Sequence, residues 1–450
     1  MTLKKTISYL LLSNSLNFGI VFVSSVLVFR NINRDEYGLY IFIVSIMAII
    51  ELIMGGFNQA INRFMKEDIS VFDKKQIILF TIYYKYFILV LFLMCIYVFI
   101  YFNFLESLLN EYTYVSSKIN DYFLISILNN VLSILSGVSI AILSGLHHYK
   151  IINNSLLIKN CIYLSMVIGL IYVTNSYLFF LYVSLCLNLI LLIYMSVVLS
   201  IKCQEYSLPK LFIIKLDLGI YKKYLLSYST PLTTISILSY VKNHLPIIIL
   251  GKEFELSDIS IYSIIKKFFK TLHTIAGSFF EPLLSKFITI KNGNLNKYKI
   301  VMNNLYYGSI FLRALMYILL ILLNKYFFLL FKIEQSSTNN LIYAILGFEF
   351  VIAGIMTLYG AILNTKKTTR NLLYISTMRF VFEMCLIYFI LFEYGIIGAA
   401  LILLLSRYFE LLCAYFFIKK ERVLKYAWLN IIFIFPFGIY FIYSGLFFRT

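Results

Sequence analysis

Nine basic residues lie inside apolar segments of the sequence, where a charge is costly and needs a reason, and five of the nine lie in three consecutive segments. Lys266, Lys267 and Lys270 are clustered, and helical spacing places Lys267 and Lys270 on one polar stripe. Lys242 lies in the preceding apolar segment and Arg313 in the following one. Cations that converge without equal anions are suited to bind a pyrophosphate or an acidic sugar. The alternative is that their long side chains reach the outer interface or form structural pairs.

Two acidic residues lie in apolar segments without a nearby base. Glu51 is at the midpoint of the run 39–62, and Glu349 is eight residues into the run 341–363. Neither has a basic residue three or four positions away. A buried carboxylate without a partner can take up and release a proton, which makes both residues candidates for ion coupling. The alternative is a salt bridge with a lysine or arginine of another helix.

Two further acid–base pairs have helical spacing. Arg379 and Glu383 are four residues apart, and Arg407 and Glu410 are three residues apart. Residues at these separations are neighbours on a helix surface. We therefore predict that both pairs are mainly structural.

Two arginines lie at the ends of apolar segments. Arg30 ends the first segment and Arg63 ends the second. Arg63 would lie at the inner membrane surface, where an anionic lipid head group would first arrive. The alternative, at least as strong, is that Arg63 is a positively charged anchor at the cytoplasmic surface.

The sequence has no recognisable catalytic motif. It contains no GxSxG, no phosphate-binding P-loop and no HExxH. His147 and His148 are adjacent but have no other metal ligands nearby, and the six cysteines show no CxxC spacing. We therefore predict neither a metal site nor a bound cofactor, and we interpret the cysteines as small packing residues.

The composition is that of a polytopic membrane protein. Of the 450 residues, 61% are hydrophobic and 13% are charged. Soluble domains have about 25% charged residues, so this composition argues strongly against a soluble enzyme. The net charge of +18 is best explained by basic loops that face anionic lipid, and not by nucleic-acid binding.

Apolar runs define the predicted architecture, which is all-α. Each run is long enough to cross the membrane as a helix. The N-terminus and the even-numbered connections carry most of the lysines and arginines outside the runs, which predicts a cytoplasmic N-terminus. The last run contains Pro436 and could instead be re-entrant or interfacial. The thirteen runs are 7–29, 39–62, 78–102, 122–144, 152–173, 177–200, 224–250, 259–287, 303–323, 341–363, 373–392, 395–417 and 428–447.

The spacing of three matched residues predicts an internal repeat that divides the chain into halves; the alternative is that these matches arise by chance. At an offset of 222 residues, the segment 30–40 aligns with 252–262, which matches Arg30 with Lys252, Glu36 with Asp258 and Tyr40 with Tyr262. An even number of helices per half makes the repeat parallel. We predict a six-helix bundle over 1–201, a cytoplasmic linker over 202–223 and a second six-helix bundle over 224–417. A basic loop and an extra hydrophobic segment follow over 418–450.

One set of residues near the start of the chain forms a pattern that resembles a known family. These residues are Arg30, Glu36-Tyr37-Gly38-x-Tyr40, Gly55-Gly56-x-Asn58 and Arg63-Phe64. With them, the chain resembles the polysaccharide transporter branch of the multidrug/oligosaccharidyl-lipid/polysaccharide (MOP) flippase superfamily, which includes the Wzx-type O-antigen and capsule flippases. The resemblance implies 12 or 14 helices, so a total of thirteen spans departs from the pattern.

The resemblance implies a fold and a function. The two bundles would form a MATE-like V-shaped arrangement around a central cavity. The protein would move undecaprenyl-pyrophosphate-linked oligosaccharide from the cytoplasmic to the outer leaflet of the bacterial inner membrane. Transport by alternating access would be coupled to a cation, H⁺ or Na⁺, and would serve O-antigen, capsule or lipopolysaccharide synthesis. Partners would be membrane lipid and other polysaccharide-assembly membrane proteins.

Three other functions remain open. A drug antiporter should have an acidic cavity, whereas the polar stripe here is basic. A lipid II flippase would belong to the same superfamily. A polytopic polymerase, ligase or glycosyltransferase usually needs a large loop or domain for the acceptor sugar, and every predicted connection here is short.

Overall fold

The computed structural model of the chain is built from helices. It describes residues 3–66, 70–101, 116–174, 176–202, 204, 217, 219, 227–278, 295–364 and 369–419, and these contain no β-strand. The all-α prediction is therefore confirmed. The helices are α1 (Leu3–Asn31), α2 (Arg34–Lys66), α3 (Val71–Tyr101), α4 (Ser116–Gly145), α5 (Tyr149–Leu170), α6 (Tyr177–Lys202), α7 (Ser227–Glu253), α8 (Leu256–Ser278), α9 (Leu295–Leu322), α10 (Asn324–Phe331), α11 (Ser337–Asn364), α12 (Thr369–Leu386) and α13 (Phe392–Lys419).

Each of the first twelve predicted apolar runs overlaps one long helix. In the described part of the chain, eight helical segments are long and apolar enough to cross a membrane, and the last of them covers α12 and α13 together. The run 428–447 lies outside the described residues. The total of thirteen spans, the six-plus-six division and the V-shaped arrangement around a cavity stay predictions.

The chain divides into two compact units. The first unit comprises residues 19–253, and the second comprises residues 254–450 together with the first 18 residues. In the first unit, α2 packs against α3, α4 and α7. In the second, α11 packs against α8, α9, α12 and α13. Helix α7, which covers most of the predicted run 224–250, belongs to the first unit, and the predicted domain boundaries stay predictions.

The helix boundaries repeat at the predicted offset. Helix α1 ends at Asn31 and α7 ends at Glu253, while α2 begins at Arg34 and α8 begins at Leu256. Both pairs of boundaries are separated by 222 positions. Each second helix has an acidic residue in its first turn, Glu36 in one half and Asp258 in the other. A negative charge at this position stabilises the helix by interacting with the helix dipole. The matched segments are thus the same structural element, a tight connection between two long helices.

Glu36 joins three helices of the first unit. Its carboxylate accepts hydrogen bonds from the Tyr122 hydroxyl at 2.9 Å and from the Tyr177 backbone N–H at 3.0 Å. The neighbouring Tyr37 and Tyr40 pack on the ring of Tyr177, with centroids 5.7 and 4.3 Å away. The Glu-Tyr-Gly-x-Tyr motif therefore holds the start of α2 against α4 and α6.

We expect Glu36→Ala to destabilise the first unit by about 1–3 kcal/mol, because both donors lose their charged acceptor. Thermal unfolding of the purified protein in detergent measures the change. Tyr122→Phe removes one of the two bonds and should cost less than Glu36→Ala. An unchanged unfolding temperature in Glu36→Ala would show that the motif is not a structural link.

A helix irregularity separates α12 from α13. The last turns of α12 continue as a π-helix over Ile387–Leu391, and the backbone turns at Gly395, where φ is +53°. This φ favours glycine, and a Cβ here would also crowd the ring of Phe254. The break coincides with the predicted boundary between the runs 373–392 and 395–417, and α12 folds back along α13.

Candidate functional site

Five charged side chains, two of them buried and three partly buried, form a charge cluster in the second unit. They come from α11, α12 and α13. Arg407 donates to Glu349 and Glu410, with both N–O distances 2.8 Å. Arg379 donates to the same oxygen of Glu410, and its Nε lies 3.7 Å from Glu383. The charge cluster therefore consists of Glu349, Arg379, Glu383, Arg407 and Glu410.

The charge cluster links the helices that carry it. Arg379 and Glu383 are each 1% exposed, so neither charge can be stabilised by water. Desolvating such charges is costly, and only close opposite charges and hydrogen bonds offset the cost. Glu410 offsets part of this cost because it accepts hydrogen bonds from both arginines. Ser406 Oγ accepts a further hydrogen bond from Arg379 at 3.4 Å. The alternating charges hold α11, α12 and α13 in one register.

The structure brings both predicted acid–base pairs together. Arg379 lies beside Glu383, and Arg407 lies beside Glu410. Glu349 is not isolated, because Arg407 of α13 binds it. This is the salt-bridge alternative stated above, and it weakens the case for Glu349 as an ion-coupling group. The sequence could not show that Glu410 serves both arginines, since that contact depends on how α12 and α13 are rotated.

Arg313 is buried on α9 and is held by several contacts. Its side chain is 1% exposed. Nη1 donates to the Phe350 carbonyl oxygen at 3.2 Å and lies 3.1 Å from His273 Nδ1, while the guanidinium carbon is 4.9 Å from the Phe350 ring centre. A Cβ at Gly354 would collide with the Arg313 side chain, so glycine leaves the room that this arginine occupies. Arg313 is thus buried among the described residues of the second unit, and its predicted role in substrate binding stays a prediction.

The lysines of α8 are more accessible. Lys266 and Lys267 are half-buried, and Lys270 is exposed. The Lys266 ammonium lies 5.5 Å from the ring centre of Tyr262. Among the described residues, neither Lys267 nor Lys270 forms an ion pair or donates a side-chain hydrogen bond. Both of these side chains could therefore bind an anion.

The remaining predicted site residues lie in the first unit. Lys242 is half-buried on α7, and Arg30 is exposed near the end of α1. Glu51 and Arg63 belong to α2, but their side chains lie outside the described residues. Lys242 belongs to the first unit and Lys267 to the second, so the convergence of these cations on one site stays a prediction.

The first unit contains a buried lysine that the predicted site did not include. Lys85 of α3 donates to Asn58 Oδ1 at 2.7 Å and to the Ile134 carbonyl oxygen at 3.3 Å. These contacts connect α3 with α2 and α4. Lys85 and Asn58 are polar residues within two neighbouring apolar runs, and this is the feature of the sequence that could have suggested that they pair. Lys159 has a similar role, since it donates to Asn188 of α6 at 2.5 Å.

Comparison with known families identifies the chain. The model of a family described as "Polysaccharide biosynthesis protein" matches residues 27–292, which is more than half of the sequence. The chain belongs to this polysaccharide biosynthesis protein family. No curated protein sequence matches it significantly.

Solved structures with the same fold are membrane transporters. The chain aligns with lipid II flippase MurJ in an inward closed conformation, with a TM-score of 0.72 and 12% identity over 99% of this chain and 92% of MurJ. A multidrug resistance MATE family transporter of the MOP superfamily, in an inward-facing conformation, aligns with a TM-score of 0.69 and 11% identity, over 97% of this chain and 96% of the transporter. A MOP superfamily transporter from Pyrococcus furiosus aligns with a TM-score of 0.62 and 13% identity, over 94% of this chain and 96% of the transporter.

The chain therefore has the fold of MOP superfamily transporters. Identities of this size establish the fold and leave the substrate open. Together with the apolar helices, the fold makes the chain a multi-pass membrane protein. Two residues that carried the family resemblance, Glu36 and Asn58, lie within the matched region and make the interhelical contacts described above.

Proposed function

We propose that the protein is a flippase that moves undecaprenyl-pyrophosphate-linked oligosaccharide from the cytoplasmic to the outer leaflet of the bacterial inner membrane. The observation that carries this proposal is the polysaccharide biosynthesis family match on a chain with a transporter fold. A solved structure with this fold is itself a lipid flippase. The excess of basic residues in the even-numbered connections supports a cytoplasmic N-terminus.

The basic stripe of α8 supports an anionic head group as the transported part. Lys267 and Lys270 have no anionic partner among the described residues, and a pyrophosphate carries several acceptor oxygens for such donors. Lys266 is adjacent, and Lys242 and Arg63 are further candidates from the first unit. The transported repeat unit would enter surface polysaccharide, O-antigen or capsule, with other polysaccharide-assembly membrane proteins as partners. H⁺ or Na⁺ would be the coupling ion.

Gene deletion in the native host tests the function directly. We expect complete lipid-linked repeat units to accumulate in the cytoplasmic leaflet, because their synthesis continues while translocation stops. Leaflet location is scored by accessibility of the sugar to an external lectin in intact spheroplasts. Repeat units that reach the outer leaflet but remain unpolymerised would instead identify a polymerase or ligase. Trapped lipid II with normal repeat-unit translocation would identify a lipid II flippase.

Complementation with lysine variants tests the basic stripe. We expect Lys267→Ala and Lys270→Ala each to reduce translocation about tenfold, the effect of losing one hydrogen bond to a charged group. The readout is the outer-leaflet fraction of repeat units, normalised to the amount of protein in the membrane. Lys325→Ala is the matched control, since this lysine is exposed on the short helix α10. Full rescue by both stripe variants would remove the stripe from the site without affecting the flippase assignment.

A further inference from the structure

A histidine and an arginine are in direct contact in the interior of the second unit. His273 of α8 lies with Nδ1 3.1 Å from Nη1 of Arg313 on α9. A guanidinium has only donors and stays protonated. The Nδ1 atom must therefore accept the hydrogen bond, which leaves the ring proton on Nε2 and the imidazole neutral.

Arg313 cannot easily withdraw from this contact. The Phe350 carbonyl oxygen accepts a hydrogen bond from the same Nη1, and the Phe350 ring packs on the guanidinium. The Arg313 side chain fills the space that Gly354, which has no side chain, leaves open. If His273 took a proton on Nδ1, the hydrogen bond would be lost. Two positive charges would then lie about 3 Å apart in a medium that screens them poorly.

The other charged groups near His273 do not relieve this conflict. Glu349 of α11 and Arg407 of α13 both interact electrostatically with the imidazole. They have opposite charges and are paired with each other at 2.8 Å, so their effects on the imidazole oppose each other. On its own helix, the charged residue one turn before His273 is Lys270, a further cation. The dominant interaction of His273 is thus with Arg313, and a proton and Arg313 compete for the same nitrogen.

We propose that His273 is a proton-binding site of the transport cycle, and that binding of the proton and contact with Arg313 exclude each other. One proton from the aqueous phase binds the Nδ1 lone pair, and no other covalent bond changes. Because the proton binds only when Arg313 has moved away, proton binding favours the conformation in which α8 and α9 have separated at this level. The inference rests on the proposed flippase function and makes H⁺ its coupling ion.

The decisive variant is His273→Gln. The Gln carbonyl oxygen can still accept a hydrogen bond from Arg313, but the side chain does not titrate. His244→Gln is the matched control, because His244 is also on a long apolar helix, α7, where it stacks on Tyr240. His273→Phe, which removes the acceptor as well, separates loss of titration from loss of the contact.

Two measurements on the full-length protein in proteoliposomes test the proposal. The first is hydrogen–deuterium exchange of the peptide that contains Arg313 at pH 5.5 and 7.5, corrected for intrinsic exchange. The second is the leaflet distribution of lipid-linked repeat units extracted from the native host, with and without a pH difference of one unit. For one coupled proton, this difference should shift the distribution by up to about tenfold.

In the wild type and in His244→Gln, we expect acid-dependent exchange and a pH-driven shift of the repeat units. In His273→Gln, both effects should be absent. Repeat units should still equilibrate slowly between the leaflets when no pH difference is applied. If His273→Gln behaves as the wild type in both measurements, the proposal is overturned. If no variant moves repeat units but acid-dependent exchange still requires His273, the flippase function fails and the proton site stands.

Discussion

Replacement of Arg379 by methionine will destabilise the protein by about 3–5 kcal/mol, the usual cost of breaking a buried ion pair by removing one partner. Arg379 is 1% exposed and is bound to Glu410 and Glu383. Without it, the charge cluster would have three carboxylates and one arginine. The volume of methionine fills most of the space, so the change isolates the charge. Reversible unfolding in mixed detergent micelles measures the free energy.

A second substitution tests the electrostatic explanation. Arg379→Met combined with Glu383→Gln removes one carboxylate as well, and we expect it to recover a large part of the lost stability. Lys252→Met is the control, because its ion pair with Glu253 is 4.0 Å long and exposed, and such pairs contribute at most about 1 kcal/mol. If Arg379→Met unfolds like the wild type, the charge cluster does not stabilise the second unit.

Replacement of Gly354 by alanine will displace Arg313 and reduce transport. The new Cβ would occupy the space of the Arg313 Cδ, Nε and Cζ atoms. Because the guanidinium is enclosed, it cannot shift without losing its bonds to Phe350 and His273. We expect about 1–3 kcal/mol of destabilisation from overpacking. We also expect at least about tenfold slower translocation, which corresponds to about 1.4 kcal/mol in the barrier.

The control for this prediction lies on the helix that carries Arg313. A Cβ at Gly308 of α9 would meet no atom within 4 Å, so Gly308→Ala should leave stability and transport almost unchanged. The double variant Gly354→Ala with Arg313→Ala removes the colliding side chain. It should be more stable than expected from the sum of the two single changes. Additive effects would mean that Gly354 and Arg313 do not share this space.

Local spacing along the chain was enough to predict much of the architecture. Long apolar runs predicted helices because a buried backbone must satisfy its own hydrogen bonds. The separations Arg379–Glu383 and Arg407–Glu410 predicted neighbours because a helix returns to the same face after three or four residues. The offset of 222 residues predicted equivalent helix connections, and the boundaries of α1, α2, α7 and α8 repeat at that distance.

Contacts between helices could not be predicted in the same way. Arg407 binds Glu349 although 58 residues separate them, and Lys85 binds Asn58 from another helix. Arg313 contacts Phe350 and His273 of two other helices, in space that Gly354 leaves open. Each of these contacts depends on how two helices are rotated and shifted against each other. That arrangement is set by the packing of whole helix faces, whereas residue spacing determines only which side chains share one face of one helix.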